Sequence, residues 1–366
     1  MAALVSTREP LLVFVGSGGV GKTTLAAATA VRAAREGRRT LVMTFDPSLR
    51  LKDALGVGEE ARDREIPVPL EAPGTLHVSL LDARRTFDRL IERYSTDAAG
   101  RDRILANRFY QQLSGSLGGI LEYMAVERLF EVASGAGERF DQIVLDTPPT
   151  RQALDFLEAP ARIVGFLDSG ALRVALKPWF DEAGHLKATA RWGGLGRRVE
   201  SFLDEVVGLD LLREMAEFFQ AFAPLFTGFR ERAREVEALL ISSRTRFVLV
   251  SGPGEEAIPD TLFFARRLLQ AGHHLAGIVV NRVHPRFDLP AAEGSRTAEE
   301  TALDGRRLLA WLGERDERGL AALASLAGSR QPLLSVPLAA DEPTDLPALA
   351  ALGDLLAERF ARASLG

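Results

Sequence analysis

The sequence predicts an α/β fold: a mainly parallel, doubly wound sheet with a helical subdomain inserted into it. Three observations lead there. Seven short apolar runs recur along the chain, and most are followed by glycine, aspartate or asparagine. Helical patterns separate them, as in a parallel sheet buried on both faces. In two places the alternation breaks and the pattern is helical alone.

LLVFV (11–15) is rich in β-formers and ends on glycine, which reads as a buried strand. KTTLAAATAVRAARE (22–36) is alanine-rich and helical, with Gly37 as its C-cap. RTLVMTF (39–45), LHVSLL (76–81), FDQIVLD (140–146), RFVLVSG (246–252), LAGIVVN (275–281) and PLLSVPL (332–338) supply the other strands. Residues 82–135 hold three helical patterns with no strand between them, and 156–243 are helical around a loose GGLG at 193–196. The expected division is a sheet core of 1–81, 136–155 and 244–366, with a helical subdomain of 82–135 and 156–243. Within the second helical block Leu209, Leu212, Phe219, Phe222, Phe226 and Phe229 share an apolar face. Its first reading is a packed helical core; the alternative is a surface for a partner or client. Residues 286–302 read as a polar loop.

Composition removes several classes of function. The chain is 46% hydrophobic and 26% charged, with 366 residues in which to bury a core. Net charge is −5 and the pI near 5.7, so no global basic field invites nucleic acid or an anionic membrane. The absence of cysteine excludes disulfides, thiolate metal sites and cysteine nucleophiles. His77, His185 and His284 lack zinc-ligand spacing, and His273 and His274 read as residues beside a helix end. MAALVSTREPLLVFVG reads as neither signal peptide nor anchor, and no apolar run is long enough to span a bilayer. The expectation is a cytoplasmic protein, peripheral to the membrane only through a partner.

GSGGVGKTT (16–24) fits the phosphate-loop pattern G-x-x-x-x-G-K-T, between a strand and a helix. Gly16, Gly18, Gly19 and Gly21 let the backbone turn tightly, so that the N–H groups of Ser17 through Val20 face phosphate oxygens. The following helix adds its N-terminal partial charge. Lys22 would reach the β- and γ-phosphates, Thr23 would place its hydroxyl on Mg²⁺, and Thr24 would support the α-phosphate. Lysine otherwise occurs only at 52, 177 and 187 among 45 basic residues. A dinucleotide oxidoreductase is disfavoured, because Lys-Thr-Thr suits a triphosphate with magnesium.

Two carboxylates follow. Asp46, opening DPSLRLKDALG after the second strand, lies at the carboxyl edge of the sheet, where it can orient an attacking water. It can equally cap a helix. Asp146, ending IVLD before TPPT, has the placement of a carboxylate that supports Mg²⁺ and leads into a switch segment.

GSGGVGKTT resembles the deviant Walker A motif of the arsenite-pump and tail-anchored-protein-targeting ATPases. These are the ArsA-type ATPases, relatives of the MinD and ParA ATPases among P-loop NTPases. FDPSLRLKDALG resembles the first switch of that family and DTPPTRQALDFL the second; LLDARRTFDRLI, FVLVSGPGEEAI and GIVVNRVHP resemble family segments in the same order. The resemblance implies a parallel sheet with a helical subdomain, working as a nucleotide-gated dimer on ATP and Mg²⁺. It implies that Gly16 to Thr24 bind phosphates, Asp46 aligns the hydrolytic water, and Asp146 holds the magnesium shell. Asn281 would recognise the adenine edge, and the residues around Pro337 would flank the base.

The departures are specific. The family's signature lysine, which reaches across the dimer, is replaced by Ser17; the first-switch histidine is Leu49, and the Gly-His of the second switch is Arg151-Gln152. No cysteine is present for arsenite or for a shared zinc. Two readings stay open. One is an ATPase that couples MgATP hydrolysis to conformational change for a protein client or membrane partner. The other is an ATP-binding, weakly hydrolysing subunit. Ser17 then points to a heterodimer with a lysine-bearing paralogue, or to a homodimer in which Arg151 supplies the charge.

Overall fold

The apolar runs form one sheet, buried throughout at Leu11–Gly16 and Gln142–Asp146 and only in part toward its edges. The structure is a computed structural model; it describes residues 11–45, 50–62, 64–95, 97–111, 120–134, 139–168, 225–286, 298–327 and 332–363, with 214, 217, 218, 221 and 222. The strands are β1 (Leu11–Gly16), β2 (Arg39–Thr44), β3 (Ile66–Pro67), β4 (Thr75–Leu80), β5 (Gln142–Asp146), β6 (Thr245–Ser251), β7 (Leu275–Val283) and β8 (Leu333–Pro337). Their order is β3-β4-β2-β5-β1-β6-β7-β8. All pairs are parallel except β3 with β4. The sequence reading missed β3: two residues with a proline carry no period, and Pro67 is tolerated only because the strand lies at an edge.

The helices are α1 (Lys22–Arg35), α2 (Arg50–Leu55), α3 (Ala83–Tyr94), α4 (Ala98–Ala106), α5 (Ile120–Ser134), α6 (Thr150–Asp168), α7 (Phe226–Ile241), α8 (Ile258–Gln270), α9 (Ala298–Ala327) and α10 (Leu346–Ala363). Residues 298–302, expected in a polar loop, open α9 instead.

The chain divides into two compact units, Met1–Leu81 with Ala133–Leu154 and Leu239–Gly366, and Asp82–Val132 with Asp155–Ala238. The first holds the whole sheet. β1 is buried along its full length, as a central parallel strand must be. Alanines of α1 (Ala26, Ala27, Ala30, Ala34) join Leu349, Leu356 and Phe360 of α10 in one buried cluster over the sheet. Small side chains let α1 lie close. His273, expected at a solvated helix end, is buried instead. Its ring sits 4.8 Å from that of Phe247 and its Nδ1 lies 3.1 Å from the Leu240 carbonyl. Burial pushes its pKa down.

The second unit is helical. Phe87 and Phe222 meet edge to face, Phe218 stacks on Phe222, and Phe229 joins them. Phe222 and Phe229 are buried, so this part of the predicted apolar face is core. Leu209, Leu212 and Phe219 lie outside the described residues, as does His185. Among the described residues an ion pair is buried here: Arg232 Nε donates to Glu127 at 3.0 and 2.7 Å, and its guanidinium covers Tyr94 at 4.1 Å. Burial pushes the Glu127 carboxyl up to about 7; Arg232 and Arg93 oppose this, and Glu131 adds to it.

Because the folded pKa of Glu127 exceeds its ordinary value, the protonated form favours the fold. That contribution is full below the ordinary value of 4.5 and is lost as pH rises through about 7. It amounts to at most ~3 kcal/mol. Glu127→Gln should flatten the stability–pH curve between these limits in urea titrations. An unchanged slope would show that Glu127 does not titrate there. Above the pH at which Glu127 ionises, Arg232→Ala should cost about 3–5 kcal/mol in the same titrations, because it leaves a buried carboxylate unpaired.

Candidate functional site

The site is built where β1 ends. Gly16 closes the strand at φ 147, and a Cβ there would fall 2.0 Å from the Val250 carbonyl oxygen of the neighbouring strand. Only glycine fits that approach. The chain then turns through Ser17, Gly18, Gly19 and Val20 to Gly21, which stands before α1 in the left-handed region at φ 89, ψ 24. Gly18 and Gly19 are exposed, and Ser17, Val20, Gly21, Thr23 and Thr24 are half-buried. No side chain caps α1 and its first turn carries no acid, so the helix partial charge at its N-terminus is not offset there by a side chain. Lys22 is buried, and its Nζ donates to the Ser17 carbonyl at 2.8 Å, across the mouth of the turn.

Register brings Asp146 to this turn. β5 lies between β1 and β2, with Asp146 level with Phe14 on one side and Thr44 on the other. Asp146 is fully buried, and its Oδ2 accepts from Thr23 Oγ1 at 2.8 Å and Thr44 Oγ1 at 2.9 Å. Thr147 then bonds the Phe14 carbonyl through Oγ1 at 2.8 Å, fixing the start of the second-switch segment on β1. Pro149 packs near Gly18, where a Cβ would meet it at 3.7 Å.

The far side of the turn is held from β7. Asn281 is buried and its Nδ2 donates to the Val20 carbonyl at 2.8 Å. β7 runs past Asn281 to Val283, so this residue lies within the strand and not at its end. Pro337 is exposed at the end of β8, paired with Val283. Asp46 and Leu49 lie outside the described residues, and so does the side chain of Arg151, whose backbone is in the first turn of α6.

The arrangement fits a nucleoside triphosphate with magnesium on chemical grounds. It offers glycine backbone in a tight turn, an uncapped helix N-terminus, a lysine, and a threonine hydroxyl joined to a buried carboxylate. Among the described residues, no group of three or more His, Asp or Glu is arranged to hold a metal ion, and no helix is long and apolar enough to cross a membrane. Two participants escaped the sequence reading. Thr44 was legible only as the residue two before Asp46, and Arg282 only as the neighbour of Asn281; pairing across strands and a backbone outlier give them their places.

The family model for anion-transporting ATPases matches residues 10–189, which include the loop, both switch segments and Asp146. An uncharacterized protein of Streptomyces coelicolor is 32% identical over 86% of this chain and 75% of its own length. A putative arsenical pump-driving ATPase of Halobacterium salinarum is 27% identical over 81% of this chain; the match spans 43% of that relative, less than half of it. ATPase GET3B of Arabidopsis thaliana is 27% identical over 96% of this chain and 79% of its own length.

Gly21 offers a direct check of the geometry. A Cβ there would fall 2.3 Å from Asn281 Nδ2, and the backbone is left-handed. Gly21→Ala should lower stability by about 1–3 kcal/mol in chemical denaturation. Adding Asn281→Ala should recover part of that loss, leaving the backbone term. A purely additive double variant would show that the two residues do not touch.

Proposed function

The chain belongs to the ArsA-type ATPase family, and on that premise we propose a nucleotide switch that binds MgATP at Gly16–Thr24 and couples hydrolysis to conformational change. The observation that carries this reading is the Thr23–Asp146–Thr44 cluster beneath the Lys22 turn. Lys22 would exchange the Ser17 carbonyl for the β/γ-phosphates, a partner of higher charge. Thr23 and Asp146 would hold the magnesium shell, which when present neutralises charge developing between the phosphates. Thr24 would serve the α-phosphate. Asp46 would orient the hydrolytic water and accept its proton. Asn281 and the residues about Pro337 would receive the adenine.

Because Thr147 is tied to β1 and follows Asp146 directly, a change in the Asp146 contacts would be felt at the start of α6. In this reading the sheet unit takes the nucleotide and the helical unit presents the result to a protein client or membrane partner. The protein works in the cytoplasm, at the membrane only through that partner, and uses neither arsenite thiolate chemistry nor a shared zinc.

Ser17 favours a second reading, a weakly hydrolysing subunit. Its side chain is too short to reach a partner's phosphates, so a homodimer would lack the trans lysine. A charge supplied in trans is worth roughly 10³–10⁵ in rate. We favour a lysine-bearing paralogue as the partner over Arg151 in a homodimer.

Lys22→Ala should abolish MgATP binding in calorimetry, and retained affinity would overturn the assignment of the loop. Asp46→Asn should keep ATP bound while turnover falls; intact turnover would leave Asp46 as a helix cap. Ser17→Lys should raise hydrolysis by the protein alone. Robust hydrolysis by a wild-type homodimer, lost in Arg151→Ala, would reject the paralogue.

A further inference from the structure

Arg282 is the one non-glycine residue with positive φ among those described, at φ 63. Left-handed backbone is costly for a long side chain and persists only where its surroundings over-determine it. Arg282 sits in a break of the sheet: the pairing of β7 with β8 shifts register between Val280 and Val283. Just beyond, the chain is anchored. The His284 N–H and Nδ1 both lie on Oδ2 of fully buried Asp316 in α9, at 2.9 and 2.7 Å, and Arg315 donates to the other oxygen at 3.0 Å.

The outlier has a geometric consequence. Successive residues of a strand send their side chains to opposite faces. Here Asn281 and Arg282 reach the same loop: Asn281 Nδ2 donates to the Val20 carbonyl and Arg282 Nη1 to the Gly19 carbonyl at 3.0 Å. The positive φ at Arg282 is what turns the second side chain back beside the first. Its other nitrogen, Nη2, donates to Glu342 at 3.1 Å, in the segment between β8 and α10 that follows Pro337. One guanidinium therefore bridges the phosphate turn and the segment after Pro337. Packing does not fix the turn at this point, since Gly19 is exposed and a Cβ on it would meet nothing within 4 Å.

We propose that Arg282 is a positioning residue, a latch that orders the Gly18–Val20 backbone from outside and ties it to the segment after Pro337. An exposed arginine–glutamate pair alone is worth little. The carbonyl contact and the strained backbone that delivers it distinguish this arginine from an ordinary surface pair. The latch holds loop carbonyls outward, which leaves the N–H groups on the inner side for anionic oxygens. Its link to affinity rests on the nucleotide reading above; its effect on the loop does not.

Hydrogen exchange of the nucleotide-free protein tests the latch, and calorimetry with MgATP tests the link. Arg282→Asn keeps a residue that tolerates left-handed backbone but cannot reach Gly19. It should speed exchange of the 16–21 amides by about fivefold, the scale of one lost hydrogen bond of ordinary net strength. Glu342→Gln, which alters only the exposed end of the bridge, should speed it less, and Arg282→Lys should restore part of the protection. The dissociation constant for MgATP should rise by about the same factor in Arg282→Asn, because the loop must then be ordered on binding. Unchanged exchange in Arg282→Asn overturns the latch, whatever binding does. Faster exchange with unchanged affinity overturns its link to nucleotide. If the wild-type protein binds no MgATP, the nucleotide reading falls, and the exchange of these variants still decides the latch.

Discussion

Asp146 is fully buried at the end of the strand between β1 and β2, and two threonine hydroxyls converge on one of its oxygens. A carboxylate in that position is costly unless it is bonded. Thr23 comes from the first turn of α1 and Thr44 from the end of β2, so a single buried group fixes the start of the helix against two strands. The remainder of the site is arranged around this point. Lys22 lies beside Thr23 on α1, and Thr147 continues from Asp146 into the segment tied to β1. Removing the carboxylate would take this acceptor from the buried Thr44 and the half-buried Thr23 as well as altering the site.

Close backbone approach is the second constraint. The turn after β1 passes within reach of the β6 backbone on one side and of Asn281 on the other, and the two contacts exclude a Cβ at Gly16 and at Gly21. These glycines therefore do two things at once. They permit the left-handed or extended backbone that the turn needs, and they make room for the elements that hold it. Arg282 follows the opposite logic. There a long side chain takes a conformation that glycine would adopt freely, and the contact it makes with Gly19 gives the strain a physical rationale.

The helical unit depends on different physics. Its aromatic cluster around Phe222 supplies apolar burial, while the Arg232–Glu127 pair places opposite charges where water is excluded. A well-paired buried ion pair contributes little net stability but penalises any arrangement that separates its members. The same pair makes this unit sensitive to pH as Glu127 titrates near 7.

Sequence alone determined the strands, because buried parallel strands must be continuous apolar runs, and it determined the loop, because the G-x-x-x-x-G-K-T spacing is itself the mechanism. The two-residue strand β3 and the burial of His273 were not legible: each depends on a neighbour distant in sequence, β4 in one case, Phe247 and Leu240 in the other. Asp146 was legible as a strand-end carboxylate, but its threonine partners were not, since only the order β2-β5-β1 sets Thr44 and Thr23 on either side of it. Asn281 was read as the end of a strand, whereas the sheet carries β7 on to Val283 through a break in pairing. That break, and with it the reach of Arg282 to Gly19, was decided by tertiary structure alone, because a left-handed arginine has no local cause in the sequence and exists only where the surrounding elements hold it.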